Sequence, residues 1–254
     1  MSAAAEAPTE VRWVQRWSKH QIAQHLLMLT SFTVLSITGL ALRQSRGAVG
    51  AGIIHVVGGP DTAGIIHRVA AGVLIFDVAY HLVWLVVRWV LGYRGYAMVP
   101  GKKDFRDLWE ILLYFFTFRK EAPRFERYSF TEKFDYYAAG FGCVVMIGSG
   151  LVLWFPSVVL SLFPARMARE LFAVAEVIHS DEAVLAVLAI VIWHLYHSHL
   201  KPGMLPLSRV FLTGRMTEAQ MRRYHTAEWE RMERPERPAK APGTKGRGAH
   251  HSDT

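Results

Sequence analysis

Four long apolar runs constrain the fold of this chain more than any other feature of its sequence. They lie at about 22–42, 64–90, 134–155 and 171–197. Each supplies about 20 or more mostly apolar residues, the length that an α-helix needs to cross roughly 30 Å of hydrocarbon. The apolar fraction of 52% is close to that of globular proteins, so the segregation of apolar from basic segments is the informative feature. The sequence predicts an all-α integral membrane protein built as a four-helix transmembrane bundle.

The distribution of basic residues predicts how these helices are oriented. Of the 29 Lys and Arg residues, 24 lie before the first run, between the second and third runs, or after the fourth. The other 5 lie on the opposite side. Because cytoplasmic connections are enriched in Lys and Arg, both termini and the long middle connection are expected in the cytoplasm. The chain is therefore expected to cross the membrane several times.

The segments outside the four runs predict two further features. Residues 104–118 are too short and too charged to cross, and they predict an amphipathic interfacial helix between the second and third spans. We expect a membrane domain over 1–229 and a disordered basic tail over 230–254. No internal repeat is evident, and no cleaved signal peptide is expected at the N-terminus.

Charge and cysteine content exclude several classes of function. The net charge of +8 lies beside apolar runs, so the expected partner is the lipid membrane rather than nucleic acid. The single cysteine, Cys143, excludes an internal disulfide and a cysteine-ligated cluster held by this chain alone. No Cys-x-x-Cys-His motif is present for covalent haem attachment.

Histidines within the apolar runs form two layers under this topology. Ionisable residues inside a membrane are costly, so each one is a candidate functional residue. His67 and His179 lie near the outer face, whereas His25 and His194 lie near the cytoplasmic face. His194 follows His179 by 15 residues, which is about 22 Å along a helix, with a net angular offset of about 60°. Both side chains can therefore face the interior of one bundle.

Two layers of paired histidines are what two stacked b-type haems require. A haem iron with two axial imidazoles needs histidines from different helices at the same depth. The favoured pairs are His67 with His179 and His25 with His194. A single zinc or iron site fits less well, because its ligands must converge on one point. The alternative from another class is a non-redox anchor or proton-coupled transporter, in which the histidines are structural.

The inner layer holds more histidines than one haem uses. His81 follows His67 by 14 residues, reaches the depth of His194, and is an alternative to His25 as inner ligand. A third haem stays open as well. Asp77 shares a helix face with His81 and is a candidate, with His81 and His197, for proton transfer beside a quinone. An interhelical hydrogen bond is the alternative interpretation of the Asp77–His81 pair.

Arginines and glycines near the two layers fit the haem hypothesis. Arg68 on the outer side and Arg16 on the inner side are candidates to bind haem propionates. Glycine permits close approach of a helix backbone to another helix or to a porphyrin. Six glycines lie within the spans: Gly39, Gly72, Gly140, Gly142, Gly148 and Gly150.

Four segments in the same order resemble the cytochrome b (gamma) subunit of respiratory formate dehydrogenases and related bacterial membrane cytochromes b. Together they cover about residues 12–229. The segments are RWSKHQIAQHLLMLTSFTVLSITGLAL, HRVAAGVLIFDVAYH, RYSFTEKFDYYAAGFGCVVMIGSGLVLWFP and IHSDEAVLAVLAIVIWHLYHSHLKPGMLP, the last followed by LTGRM.

The resemblance implies an electron-transfer subunit of a quinone-linked oxidoreductase complex, with two b-type haems and a quinone site near the cytoplasmic haem. It assigns His25 and His194 to the inner haem, and His67 and His179 to the outer one. The implied partners are quinone or quinol and a periplasmic iron–sulfur or multihaem cytochrome subunit. The gap between His179 and His194 is one residue longer than expected for the formate dehydrogenase type, so formate itself is not implied.

Overall fold

The computed structural model describes residues 11–93, 97–117, 123–202, 204–205 and 207–234. Among the described residues, three long helices are apolar enough to cross a membrane by length and composition: α1 (Lys19–Arg43), α3 (Pro60–Val90) and α5 (Phe130–Trp154). Their mean hydropathies are 1.7, 2.0 and 1.7. The first three predicted runs are therefore helical. The fourth run lies in α7 (Ala165–Leu188), which continues into π-helical stretches at Ala189–His194 and Tyr196–Leu200.

Shorter helices occupy the connections. The predicted amphipathic segment forms α4 (Lys102–Thr117). Two helices that were not predicted, α2 (Ala48–Val56) and α6 (Pro156–Leu162), join α1 to α3 and α5 to α7. After the last π-helical stretch come α8 (Val210–Thr213), α9 (Glu218–Tyr224) and α10 (Thr226–Glu233). Helix α10 reaches four residues into the predicted tail, and residues 235–254 lie outside the described part of the chain.

The sequence contains an internal repeat, contrary to the prediction. Arg16 and Arg127 are separated by 111 residues, and each guanidinium donates a hydrogen bond to the main-chain carbonyl of the other. At the same offset, Ser18 and Ser129 begin α1 and α5 with capping boxes. Helix α1 packs mainly on α3 and α5 mainly on α7, so the two halves are equivalent helix pairs.

The second half carries two extra residues, one between Ser149 and His179 and one between His179 and His194, and the π-helix absorbs the second of them. His81 follows His67 by 14 residues in α3, whereas His194 follows His179 by 15 in the equivalent helix. The second of these intervals ends in the π-helical stretch Ala189–His194. A π-helix bonds i to i+5 and commonly appears as a local bulge at functional sites. The offset of about 60° expected for an ideal helix therefore does not apply to the last turn before His194.

A small cap joins the two ends of the described chain. Strand β1 (Trp13–Gln15) pairs antiparallel with β2 (Arg215–Thr217), with Val14 opposite Met216. The hydrophobic core of the cap contains Val14, Met204, Met216, Met221 and Trp229. The segment before α1 and the segment after the last membrane-length helix therefore lie at the same end of the bundle.

A buried ion pair holds the cap to the start of the second half. Arg16 is 4% exposed and forms an ion pair with Glu228, which also accepts from Arg127 at 3.1 Å. The neighbouring His225 donates from Nδ1 to the carbonyl of Glu126 at 2.9 Å. Burial lowers the pKa of His225 from 6.5 to about 4, so its imidazole is neutral near pH 7.

Replacing Glu228 with Ala is expected to destabilise the cap strongly. The change leaves the Arg16 guanidinium buried without its carboxylate, and breaking a buried pair costs about 3–5 kcal/mol. Glu230→Ala is the matched control, because its pair with Arg124 is much more exposed and such pairs contribute at most about 1 kcal/mol. Thermal unfolding in detergent, followed by circular dichroism, compares them. Equal melting temperatures would contradict a structural role for the buried pair.

Acid is expected to weaken the cap through His225. The unfolded chain binds this proton near pH 6.5 and the folded cap only near pH 4, so the free energy of unfolding falls as pH drops through that window. The full effect is about 3 kcal/mol. His225→Gln should flatten the pH dependence of the melting temperature between 6.5 and 4. An unaltered slope in His225→Gln would refute this origin.

Candidate functional site

The outer histidines face each other across the bundle. His67 on α3 and His179 on α7 have ring centroids 6.3 Å apart, with ring planes at 73°. The Thr38 hydroxyl lies 2.9 Å from Nδ1 of His67, and the Ser149 hydroxyl lies 3.0 Å from Nδ1 of His179. Thr38 and Ser149 are equivalent positions in the two halves.

These hydroxyls determine which nitrogen of each ring carries hydrogen. Thr38 donates its own proton to the Val34 carbonyl at 2.7 Å, and Ser149 donates to the Val145 carbonyl at 2.7 Å. Each hydroxyl oxygen therefore accepts from the imidazole, which places hydrogen on Nδ1 and leaves the lone pair of Nε2 free. A second partner of this kind is what orients metal-binding histidines.

Glycines cradle the outer pair. A Cβ added at Gly39 would lie 3.1 Å from Cε1 of His67, and one at Gly150 would lie 3.1 Å from Cε1 of His179. That spacing is tighter than ordinary van der Waals contact, so a side chain at either position would push the imidazole away. Of the six glycines noted in the sequence, these two contact the histidines.

The spacing of the outer pair fits a haem iron between the rings. A metal–imidazole bond is about 2.0–2.1 Å, and the nitrogen lies roughly 1.1 Å from the ring centre, so two axial imidazoles have centroids about 6.3 Å apart. The observed separation is 6.3 Å. His67 and His179 could therefore act as the two axial ligands of one haem.

The inner pair has the same spacing. His25 on α1 and His194 in the π-helical stretch have ring centroids 6.4 Å apart. The carboxylate of Asp135 accepts from Nδ1 of His194 at 3.1 Å, which leaves Nε2 free for a metal. Nδ1 of His25 is buried and has no hydrogen-bond partner among the described residues. Trp17 packs 5.2 Å from the His25 ring.

His81 differs from these four histidines because both of its nitrogens are engaged. Nδ1 lies 3.2 Å from Oε1 of Gln24, and Nε2 lies 2.8 Å from the hydroxyl of Tyr136. A ring in this state has no free lone pair for a metal. The geometry therefore favours His25 over His81 as the inner ligand, while the assignment itself stays a prediction. Asp77 is 2% exposed, and its Oδ1 has no partner among the described residues.

The remaining predicted site residues lie in other surroundings. Arg68 is exposed and makes no hydrogen bond or ion pair with the described residues, so it is free for a propionate. The guanidinium of Arg16 is held by Glu228 and Arg127 in the cap, a different use from the predicted propionate contact. His197 donates from Nδ1 to the Trp193 carbonyl at 2.9 Å, and no described contact joins it to Asp77 or His81.

Several residues with roles at this site were missed in the sequence. Thr38, Ser149 and Asp135 orient three of the four paired histidines, and Tyr136 binds His81. The overlooked signal was the 111-residue repeat, which aligns Thr38 with Ser149 and Gln24 with Asp135. Within the described part of the chain, no group of three or more His, Cys, Asp or Glu residues is placed to hold one metal ion.

Apolar membrane-length helices with paired imidazoles at a spacing that fits an iron are the features expected of a membrane-bound b-type cytochrome. Comparison with protein families agrees: the profile of the prokaryotic cytochrome b561 family matches residues 16–211. The chain belongs to this family, whose members bind b-type haem and transfer electrons at membranes. A search of curated proteins found no match. The resemblance to the formate dehydrogenase gamma subunit in particular stays a prediction.

Gly150→Ala is expected to weaken haem binding at the outer pair. Its new methyl group meets the His179 ring at 3.1 Å and displaces the ligand, and losses of ligand orientation typically cost roughly 10–100-fold in metal affinity. Gly148→Ala on the same helix is the matched control, because nothing lies within 4 Å of its added Cβ. The haem-to-protein ratio and the reduced-minus-oxidised spectrum measure the effect. Full occupancy in Gly150→Ala would argue against haem at this pair.

Proposed function

We propose that this cytochrome passes electrons between a periplasmic redox subunit and the quinone pool through two stacked b-type haems. It would act as the electron-transfer subunit of a quinone-linked oxidoreductase complex in the bacterial inner membrane. The observation that carries the proposal is the presence of two imidazole pairs with centroids 6.3 and 6.4 Å apart. An ideal α-helix would place residues that are 15 positions apart about 22 Å from each other in depth.

The topology in this proposal has four spans with both termini in the cytoplasm. The internal repeat supports the fourth span, because α7 with its π-helical continuation is the counterpart of α3, which is apolar enough to cross. The pairing of β1 with β2 supports an even number of crossings, since it keeps the two ends of the bundle's chain together. The excess of basic residues on that side supports a cytoplasmic location.

The protein's own residues hold and orient the electron carriers. Haem supplies one-electron redox chemistry when bound. His67 and His179 would hold it at the outer level, with Thr38 and Ser149 fixing their rings, and His25 and His194 would hold it at the inner level, where Asp135 orients His194. A negative carboxylate beside an axial ligand increases the ligand's basicity. We therefore infer that the inner and outer sites differ in redox potential.

Arg68 is the proposed propionate partner at the outer level, and it has no competing partner among the described residues. The periplasmic partner would be an iron–sulfur or multihaem cytochrome subunit that exchanges electrons with the outer haem. On the inner side, quinone or quinol would exchange electrons with the haem between His25 and His194. Asp77, His81 and His197 are the proposed proton carriers.

Haem stoichiometry in ligand variants tests the proposal. The purified protein should contain two b-type haems per chain by the pyridine haemochrome assay. His25→Ala should retain one, because it removes an axial ligand, whereas the matched variant His81→Ala should retain both, because that ring is bound to Gln24 and Tyr136.

Three outcomes would contradict parts of this scheme. A protein without b-type absorption would leave the histidines as structural groups of an anchor or transporter. Loss of haem in His81→Ala but not in His25→Ala would reverse the inner assignment. Three haems per chain would require a further ligand set.

A further inference from the structure

The internal repeat gives the inner haem pair a counterpart on the other side of the bundle. Tyr136 lies at the position equivalent to His25, and His81 lies at the position equivalent to His194 once the two extra residues of the second half are counted. The two counterpart rings have centroids 5.7 Å apart, closer than the 6.4 Å of the haem pair. The His25–His194 pair therefore has the spacing for an iron. Its counterpart, the His81–Tyr136 pair, is joined by a direct hydrogen bond and leaves no room for one.

The His81–Tyr136 pair is part of a directional chain of hydrogen bonds that includes Gln24. Oε1 of Gln24 can only accept, so Nδ1 of His81 carries hydrogen and donates to it at 3.2 Å. Nε2 of His81 is then an acceptor, and the Tyr136 hydroxyl donates to it at 2.8 Å. The phenol oxygen of Tyr136 keeps its own acceptor capacity. A hydroxyl group placed against Tyr136 would therefore complete a chain that ends on His81.

Two buried polar atoms beside this chain lack partners among the described residues. One is Nε2 of Gln24, a side chain that is 8% exposed, and the other is Oδ1 of Asp77, one helical turn before His81. Buried polar groups are almost always hydrogen-bonded in native proteins. Tyr136 and His81 are only partly buried, so the chain reaches the surface of the bundle within the membrane. A polar headgroup arriving from the lipid is the ligand that fits this arrangement.

We propose that Tyr136, His81 and Gln24 form the quinone headgroup site of this protein, with Tyr136 as the group that exchanges protons with the ligand. The proposal rests on the proposed function and adds the residues that carry it out. Tyr136 and Gln24 belong to neither haem pair. The site lies at the depth of the inner haem pair, because the repeat relates the two, and electrons have only the width of the bundle to cross.

The proton and electron changes balance in both directions. When a quinol is oxidised, its O–H bond breaks and the proton forms a bond to the phenol oxygen of Tyr136, while the phenol's own proton passes to Nε2 of His81. Repeating this for the second hydroxyl releases two protons in all, which His81 returns to the cytoplasm one at a time. The two electrons would be accepted one at a time at the site where His25 and His194 would hold a haem, which supplies one-electron redox chemistry when bound. Quinone reduction takes up two electrons and two protons by the reverse path.

Quinol-driven haem reduction in a phenol-deletion variant tests this site. Oxidised protein is mixed without oxygen with duroquinol or menadiol in a stopped-flow instrument, and the b-type absorption is followed. Tyr136→Phe should slow haem reduction by about 10²-fold, the usual contribution of a positioned acid or base. Its haem content and dithionite-reduced spectrum should match the wild type. Tyr137→Phe, the adjacent residue, is the matched control and should react at the wild-type rate.

The outcomes separate this inference from the proposed function. A wild-type rate in Tyr136→Phe overturns the site while quinone-linked function stands. Failure of both quinols to reduce wild-type haem that dithionite does reduce overturns the site and the function together. If Tyr136→Phe loses haem, His81→Gln decides: slow reduction with full haem content supports the site, and a wild-type rate overturns it.

Discussion

An imidazole can bind a metal only through a nitrogen whose lone pair is free, and inside a membrane no water is available to decide which nitrogen that is. In this protein, the protonated nitrogen of three of the four paired histidines is determined by side chains that can only accept a hydrogen bond from the ring. The hydroxyls of Thr38 and Ser149 donate to main-chain carbonyls one turn earlier, so each can only accept from the histidine that it contacts. Asp135 does the same for His194 as a carboxylate. Both proposed haem centres depend on this control of tautomer and ring direction.

The two halves of the bundle use one plan and differ where their chemistry differs. At the outer level the halves are nearly identical, with a hydroxyl and a glycine from one helix against a histidine from the next. At the inner level Gln24 is the equivalent of Asp135, and His25 is the equivalent of Tyr136. The π-helix also changes the helix geometry in the turn before His194. One equivalent pair is thereby spaced for an iron and the other forms a chain of hydrogen bonds. A symmetric framework has produced an asymmetric inner layer.

The cap connects this inner layer to both ends of the chain. Arg16 and Arg127 precede the equivalent helices α1 and α5, and Glu228 bridges them from α10. Because α1 carries His25 and α5 carries Asp135 and Tyr136, the cap holds the N-terminal ends of two helices that build the inner layer. Phe211, which follows the last π-helical stretch, also packs against His25, with ring centroids 6.0 Å apart. Segments outside the apolar runs thus help to position residues within them.

The sequence alone was sufficient to predict the helical membrane fold, because long apolar runs have few alternatives in a medium without hydrogen-bonding solvent. It also predicted that His67 would face His179 and that His25 would face His194, since depth in a membrane follows from residue number along a helix. The repeat was not recognised in the sequence, because identical equivalents such as Arg16 with Arg127 are scattered among pairs that share only a chemical role, as Gln24 with Asp135. Only the tertiary structure decided that Arg16 belongs to the cap, that both nitrogens of His81 are engaged, and that one residue is absorbed in a π-helix. Those features depend on contacts between helices, which the spacing of residues along a single helix does not contain.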